Sequence, residues 1–279
     1  MIVAPMTLAS TPELVAAACA AGVMGSFPTS NAPSSAALDE WFEQIGIEIA
    51  RRKLTGVSPS GVVANLIVGR QNTRLDADVE AVVRHRVPIV ITSVGNPAAL
   101  IPELQANGIR VLVDVASMRH VERMIEAGAD GLVLLAAGGG GHTGWANPFA
   151  FARAVRSVSD IPLVMAGGAA DGAAIWSAVT LGYNACLVGT RMIATPESGV
   201  GESWRTELVS ATMDDIVIER APHNGVAASL LPSGEGSAGH TVSCVRRIVP
   251  AAQVISELAA EYEAARERTA LLLRFKSPS

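Results

Sequence analysis

The sequence predicts an α/β protein that folds as a closed (β/α)8 barrel with an irregular C-terminal lid segment and a terminal helix. Eight short apolar runs recur between residues 2 and 188, and each is followed by a helical segment until the last. A small residue plus glycine ends several helices just before a run, as at Leu181 and Gly182. Eight βα units are typical of a barrel. An open doubly wound sheet is the alternative, because periodicity does not show closure.

The strands are assigned in chain order to runs rich in β-branched and other apolar residues. A strand of a parallel sheet is covered on both faces, so it reads as a continuous apolar run. The overall composition agrees, because 49% of the residues are hydrophobic and only 17% are charged. The predicted strands are Ile2–Ala4, Val23–Ser26, Val62–Leu66, Ile89–Thr92, Arg110–Val115, Gly131–Leu135, Pro162–Ala166 and Ala185–Val188.

Helix starts are marked by capping residues. Thr11 is followed by Pro12, which suits the first position of a helix. Ser117 and Asp171 are further predicted N-caps, because their side-chain oxygens can accept from the free amides of a first turn.

The C-terminal part of the chain departs from this rhythm. Asp214–Glu219 is predicted as a short strand, residues 221–241 as an ordered loop over the barrel mouth, and Gln253–Leu273 as a helix. With no linker in sight, residues 1–279 are predicted to form one domain in which residues 200–279 are the lid and helix extension. The charged residues of the helix are expected on its solvent side: Glu257, Glu261, Glu263, Arg266, Glu267 and Arg268.

Composition limits the partners. The net charge is −5 and no basic block occurs, which argues against nucleic acid. Cys19, Cys186 and Cys244 are widely spaced, so we expect reduced thiols rather than a metal site or disulfides. The N-terminus lacks the basic region of a signal peptide, and no apolar run suits a membrane helix. We therefore expect a soluble cytoplasmic protein with a small-molecule substrate and no bound metal.

The central motif is the glycine run that follows the sixth predicted strand. Gly138–Gly141 lead directly to His142. Glycines allow a ligand to approach the backbone, and histidine is suited to move a proton near neutral pH. The alternative is a flexible turn with an incidental histidine. Gly139, Gly141 and Gly144 also match the dinucleotide pattern G-x-G-x-x-G, which we discount because Asn147 and Pro148 intervene before the next helix.

In a barrel, chemistry gathers at the carboxyl ends of the strands. Glycines follow both of the last two strands, and each pair leads into a helix, which predicts a phosphate cradle using helix amides. The alternative is that they only form tight turns. The apolar strand ends favour a flat cofactor, and the scarcity of positive charge favours one phosphate over a polyphosphate. The strand-end candidates are Pro5, Met6, Asn65, Thr92, Asp114, Gly167, Gly168, Gly189 and Thr190.

Four further residues have open roles. Asp114 could bind a cofactor, orient a neighbour or be a buried structural acid. Trp145 could wall the substrate side or simply be packed. His223 and His240 belong to the tail loop and could line the pocket. No G-x-S-x-G motif and no metal-ligand spacing are present.

Several of these pieces together resemble the nitronate monooxygenase family, also called 2-nitropropane dioxygenase-like, which includes FMN-dependent enoyl-acyl-carrier-protein reductases. The resemblance runs from residue 2 to about residue 265. The combination of GGHTG with GTR-x-x-AT-x-ES is specific. The matching segments are Val3–Met6, Asn65–Leu66, Gly140–Gly144, Met165–Gly172 and Leu187–Ser198.

The resemblance implies an enzyme, an oxidoreductase whose barrel binds one FMN without a covalent bond. His142 matches the family histidine beside the substrate, where it accepts a proton or orients the substrate. The implied reaction is oxidation of an alkyl nitronate with O2 to a carbonyl compound and nitrite. A homo-oligomer remains open. The residues expected at the cofactor are Pro5, Met6, Asn65, Asp114, Gly140, Gly167, Gly168, Val188, Gly189 and Thr190.

The chain departs from the family pattern at two positions usually held by glutamine, which here are Leu135 and His240. The tail is also shorter than usual. A second hypothesis is therefore an NAD(P)H-dependent flavin reductase of an activated alkene, with the same fold, FMN and His142. A third is a flavin-free phosphosugar lyase or isomerase, which usually needs an interior lysine or paired carboxylates. The only lysines are Lys53 and Lys276, and neither follows a predicted strand.

Overall fold

The computed structural model describes residues 1–54, 58–220 and 226–274. Eight parallel strands form a sheet in the order β1-β9-β8-β6-β5-β4-β3-β2. The first strand pairs with the last barrel strand and also bridges Met24 through Ile2, so the sheet closes on itself. The predicted barrel is confirmed, and the open sheet is excluded. The strands are β1 Ile2–Val3, β2 Gly25–Pro28, β3 Val62–Ile67, β4 Ile89–Ser93, β5 Arg110–Val115, β6 Gly131–Leu135, β7 Gly141–Thr143, β8 Leu163–Ala166, β9 Ala185–Val188, β10 Val217–Arg220 and β11 Ala227–Leu230.

Helices follow the barrel strands and cover them from outside. Thr11 Oγ1 accepts from Leu14 N at 3.1 Å, and Asp171 Oδ1 accepts from Ala174 N at 2.7 Å. Ser117 caps its helix in the same way, so all three predicted caps are confirmed. The helices are α1 Pro12–Ala20, α2 Ser35–Lys53, α3 Leu75–Arg84, α4 Leu100–Ala106, α5 Met118–Glu126, α6 Pro148–Arg156, α7 Gly172–Leu181, α8 Thr190–Ile193, α9 Glu202–Ser210 and α10 Ala251–Arg274.

Side chains alternate between the inside and the outside of the barrel. A cluster including Ile91, Val133 and Val164 fills the interior, while a larger cluster packs between strands and helices. This alternation follows from the two-residue period of a strand. It decides which strand-end residues can face a ligand at the mouth.

The tail forms more regular structure than the sequence predicts. The segment predicted as a strand begins with a 3-10 turn, Met213–Asp215, before β10. The predicted loop 221–241 contains β11, which lies between β10 and β7 in an antiparallel sheet. The ladder comes from pairing with a distant segment, which a local pattern does not encode. His223 lies outside the described residues.

The terminal helix is confirmed, but part of its expected solvent face is engaged. Arg191 forms ion pairs with Glu257 at 3.1 Å and Glu261 at 3.2 Å, so these two carboxylates face the protein. Helix α10 packs along α7, which brings its acidic residues to the start of α7. Within the described ranges, no helix has the length and apolarity needed to cross a membrane.

Candidate functional site

A cavity of about 430 Å³ opens at the carboxyl ends of the barrel strands, where the fold places active sites. Its size lies within the range of small-molecule sites. The structure brings most of the predicted site residues together here: Pro5, Met6, Asn65, Asp114, Gly140, His142, Gly167, Gly168, Gly189 and Thr190 all line it.

Strand alternation corrects two of the predicted positions. Val188 is buried in the outer core and does not line the cavity, whereas its neighbour Leu187 does. Thr92 is likewise buried away from the cavity, and Ser93 takes the inward position at the end of β4. Side chains along a strand alternate between the interior and the outside of the barrel. The residue next to an inward-facing one therefore points outward.

The loop after β1 is held in place by its own polar groups. Met6 N donates to Ser10 Oγ at 3.0 Å. Asn31 Nδ2 donates to the carbonyl oxygens of Met6 at 3.0 Å and Ser10 at 2.9 Å. Met6 is therefore presented to the cavity by a fixed backbone. Leu8, two residues on, has φ of +64°, an uncommon conformation for a residue with a side chain.

The cavity floor carries polar side chains from three neighbouring strands. Asn65 on β3 is only 5% exposed, and its Nδ2 donates to Ile91 O and Ser93 Oγ, both at 3.1 Å. Asp114 on β5 also lines the cavity. Burial raises the pKa of Asp114 to about 7 because the charged form loses its hydration. The floor thus combines an ordered amide with a carboxyl that titrates near neutrality.

His142 is held at the rim by a strand that the sequence analysis did not anticipate. It belongs to β7, and its pairing partner in β11 is Ala228. Thr143 Oγ1 donates to Ala136 O at 3.1 Å, which ties β7 to the end of β6. The residue is exposed to solvent on one side and lines the cavity on the other. The discounted glycine fingerprint indeed opens no helix, since Gly141 starts this strand.

The tail docks on the glycine run at very short range. A Cβ on Gly140 would lie 2.8 Å from Gly239 N, so the lack of a side chain serves this contact as well as the cavity. Thr190 Oγ1 accepts from Gly239 N at 3.0 Å. His240 packs against Gly138 and is not among the cavity-lining residues. Close backbone approach therefore explains part of the glycine density.

The predicted phosphate cradle is partly corrected. Gly167 and Gly168 have φ of +113° and +89° and line the cavity. The N-terminus of α7 is not free, however, because Gly172 N donates to Glu261 Oε2 at 2.9 Å. A carboxylate of α10 thus occupies the anion position that helix amides offer. The remaining cradle consists of the loop at Gly167 and Gly168 together with Gly189 and Thr190.

Trp145 does not wall the site. Its side chain is 79% exposed and does not line the cavity. A Cβ on Gly144 would overlap Leu135 O, so the backbone packs closely against the end of β6 at this point. The side chain of the next residue, Trp145, points to solvent. The aromatic residue that does line the cavity is Trp204 on α9, which is 8% exposed.

Several lining residues were missed from sequence. Ser93 could have been found from the alternation of side chains along its strand, because it lies two residues after the interior residue Ile91. Val94 follows it with φ of +53°, a rare conformation for a β-branched residue. Further missed residues lie in the C-terminal part: Trp204, Ala228, Leu230, Ser237, Ala238 and Thr241. All but Trp204 belong to the predicted loop over the barrel mouth, but no local pattern showed which of its side chains face the cavity.

Comparison with known proteins places these features in a family. A profile of the nitronate monooxygenase family matches residues 58–243. A (3aS,4S,5R,7aS)-5-hydroxy-7a-methyl-1-oxo-octahydro-1H-indene-4-carboxyl-CoA dehydrogenase of Rhodococcus jostii is 28% identical over 89% of this chain and 67% of its own. A nitronate monooxygenase of Paraburkholderia phytofirmans is 29% identical over 75% of this chain and 67% of its own. This chain thus aligns with about two thirds of each relative's length.

The structure of FabK from Thermotoga maritima superposes with a TM-score of 0.85 and 26% identity, covering 96% of this chain and 94% of that one. The barrel, the cavity at its mouth and the glycine–histidine rim therefore occur together in a chain whose central two thirds match one family profile. This oxidoreductase belongs to the nitronate monooxygenase family.

Proposed function

We propose that this protein binds one FMN in the cavity and oxidises small alkyl nitronates with O2 to a carbonyl compound and nitrite. The single observation that carries the proposal is the placement of His142 over a glycine-lined cavity at the barrel mouth. Family membership supports flavin chemistry, and a lining of apolar side chains beside glycine-rich strand ends suits a ring system with a polar end.

The residues present fit FMN. Gly189 lines the cavity without crowding, because an added Cβ would meet Ala4 Cβ and Met6 Sδ at 3.5 Å, an ordinary contact distance. The loop at Gly167 and Gly168 offers backbone close to a ligand, and Thr190 adds a hydroxyl. Apolar side chains such as Met6 suit the face of a ring system. No arginine or lysine is among the described lining residues, which favours one phosphate over a polyphosphate.

When bound, FMN supplies the electron transfer and the reaction with O2. The protein positions the reactants and handles the proton. His142 accepts the proton from the acidic carbon of a nitroalkane or orients the oxygens of its anion, since imidazole is the side chain suited to both tasks near neutral pH. The β7–β11 ladder fixes the histidine backbone. Trp204 and Leu230 line the same cavity and give it an apolar wall.

The first experiment is the visible spectrum of the purified protein and of the supernatant after heat release. A flavin spectrum with one FMN per chain, followed by nitrite release and O2 consumption with an alkyl nitronate, is the expected result. A colourless protein that cannot be reconstituted with FMN contradicts the proposed cofactor. A flavin-loaded protein that releases no nitrite from a series of nitronates contradicts the proposed substrate.

The second candidate is reduction of an activated alkene with NAD(P)H as electron donor. The observation that favours it is Leu135, which lines the cavity at the position where nitronate oxidases usually carry glutamine. The Rhodococcus jostii relative is named as the dehydrogenase of a carboxyl-CoA compound, and the name of that substrate contains no nitro group. Rapid bleaching of the flavin by NADH or NADPH without O2, together with alkene-dependent reoxidation, favours this candidate over nitronate oxidation.

A further inference from the structure

Asp114 is the one carboxyl among the described residues that line the cavity. The other two polar side chains of the floor are hydrogen-bonded to each other. Asn65 Nδ2 donates to Ser93 Oγ at 3.1 Å, and Ser93 Oγ donates to Asn65 Oδ1 at 3.3 Å. Asp114 has no such partner within the part of the chain that the structure describes, neither a hydrogen bond nor a cation. The carboxyl is half-buried and opens to the cavity, so a ligand that fills the cavity displaces its water and must replace the lost hydrogen bond.

The charge environment decides which form of the carboxyl is present. Among the described residues that line the cavity, His142 is the only other one with a titratable side chain. Charged groups on the adjoining strands lie at their opposite ends, as Arg110 begins β5 and Asp130 precedes β6, where Asp130 accepts from Val111 N at 2.8 Å. The charged residues of α4 and α5 cover the outside of the barrel: Glu103, Arg119, His120, Glu122, Arg123 and Glu126. Within the described part of the chain, no arginine or lysine lines the cavity to offset an ionised Asp114.

We propose that Asp114 contacts the bound FMN as a neutral carboxylic acid and donates a hydrogen bond to it, so that FMN binding is coupled to the uptake of a proton by Asp114. This inference rests on the proposed function. A carboxylate here would repel the ligand's phosphate and its ring carbonyl oxygens, whereas a protonated carboxyl complements an acceptor atom. The raised pKa of Asp114 supports this proposal, because a large fraction of the carboxyl is protonated at neutral pH.

The proton balance is simple. Above neutrality, free Asp114 has lost its proton, and solvent or buffer supplies one when FMN binds. No covalent bond forms or breaks, and no electron moves. The dissociation constant of FMN is then expected to rise with pH above about 7, approaching tenfold per pH unit.

The test is titration of apo-protein with FMN between about pH 6 and pH 8.5, by flavin fluorescence and by calorimetry in two buffers of different ionisation enthalpy. At pH 8 the wild type should take up close to one proton per FMN more than Asp114→Asn. The dissociation constant of the wild type should rise about tenfold or more over the range relative to that variant. Comparison between variants removes the ionisation of FMN itself, which both share.

His142→Asn is the matched control, since it removes the other titratable group of the cavity and should keep the proton uptake. Calorimetry on the wild type and His142→Asn remains decisive if Asp114→Asn does not fold. Equal pH slopes and equal proton uptake in wild type and Asp114→Asn, or no uptake by the wild type, overturn the role of Asp114 alone. Failure of the wild type to bind FMN at any pH overturns the proposed function as well.

Discussion

His142 lies directly opposite Ala228 in an antiparallel strand pair that joins the glycine run to the tail. The two residues are far apart in sequence, and both line the cavity. The position of the proposed proton-transfer residue thus depends on a segment beyond the barrel. The rim strand β7 is tied to the barrel through Thr143 and to the tail through β11, and this holds the histidine backbone in place.

Breaking this pairing should impair turnover without removing the cofactor. Ala228→Pro disrupts β11, the central strand of the β10–β11–β7 sheet, because proline lacks the N–H that a strand donates. We expect kcat/KM to fall by about tenfold or more, since small displacements of a catalytic group are costly. Ala228→Ser keeps the backbone and is the control. Unchanged kinetics in the proline variant, with FMN fully bound, would show that the pairing does not position His142.

Replacing the histidine tests its role directly. His142→Asn removes the imidazole from the rim but leaves the cradle around Gly168 and Gly189 intact. We expect the FMN content to be retained and kcat with a neutral nitroalkane to fall by about 10²- to 10⁴-fold, the usual contribution of a proton-transfer group. Steady-state kinetics with flavin content measured in the same sample gives the answer. Full turnover in this variant rules out the catalytic assignment.

The cradle can be tested at Gly189, whose negative φ of −109° suits a residue with a side chain, unlike the positive φ of Gly167 and Gly168. Gly189→Ala contacts Ala4 and Met6 at ordinary distances, so the apo-protein should fold normally. Because all three residues line the cavity, the added methyl group takes up space at its wall, and we expect the dissociation constant of FMN to rise about tenfold or more. Gly46→Ala is the control, since Gly46 lies in α2 with no atom within 4 Å of an added Cβ. It should stabilise the fold by about 0.5–1 kcal/mol and leave FMN binding unchanged.

Glu261 is expected to stabilise the fold by capping α7. Glu261→Ala removes the acceptor of Gly172 N and one partner of Arg191. We expect the free energy of unfolding to fall by about 1–2 kcal/mol, as for loss of a helix cap. Thermal denaturation measures it. Glu263→Ala breaks only an exposed pair with Arg266 and should cost less than about 0.5 kcal/mol. Equal losses in both variants would refute the capping role.

The carboxyl of Asp114 should make the apo-protein less stable as the pH rises. Its folded pKa is raised from 3.8 to about 7, so between these values the native state binds more protons than the unfolded chain. Stability is therefore lost through this window and is constant above it. Asp114→Asn should match the wild type near pH 4 and exceed it at pH 8 by up to about 4 kcal/mol. Denaturant unfolding of both proteins at pH 4 and pH 8 gives the two free energies of unfolding. An Asp114→Asn variant that is less stable than the wild type at pH 8 would contradict this expectation.

Much of the fold was predictable because its signals are local. Buried parallel strands read as apolar runs, and the caps at Thr11, Ser117 and Asp171 follow from the hydrogen-bonding groups of single side chains. The candidate site was predictable to the same extent, since a barrel gathers its strand ends at one mouth whatever the loops do. The glycines and His142 at these ends could therefore be found from their positions in the chain.

The sequence by itself thus determined the barrel and the strand-end residues, apart from the side to which Thr92 and Val188 point. Only the tertiary structure decided what contacts them. The pairing of His142 with Ala228 and the capping of Gly172 by Glu261 join segments separated by more than 80 residues. Such contacts arise from the packing of finished elements against each other, so no local period or spacing encodes them. The sequence predicted that residues 221–241 lie over the barrel mouth, but only the tertiary structure decided which of their side chains line the cavity.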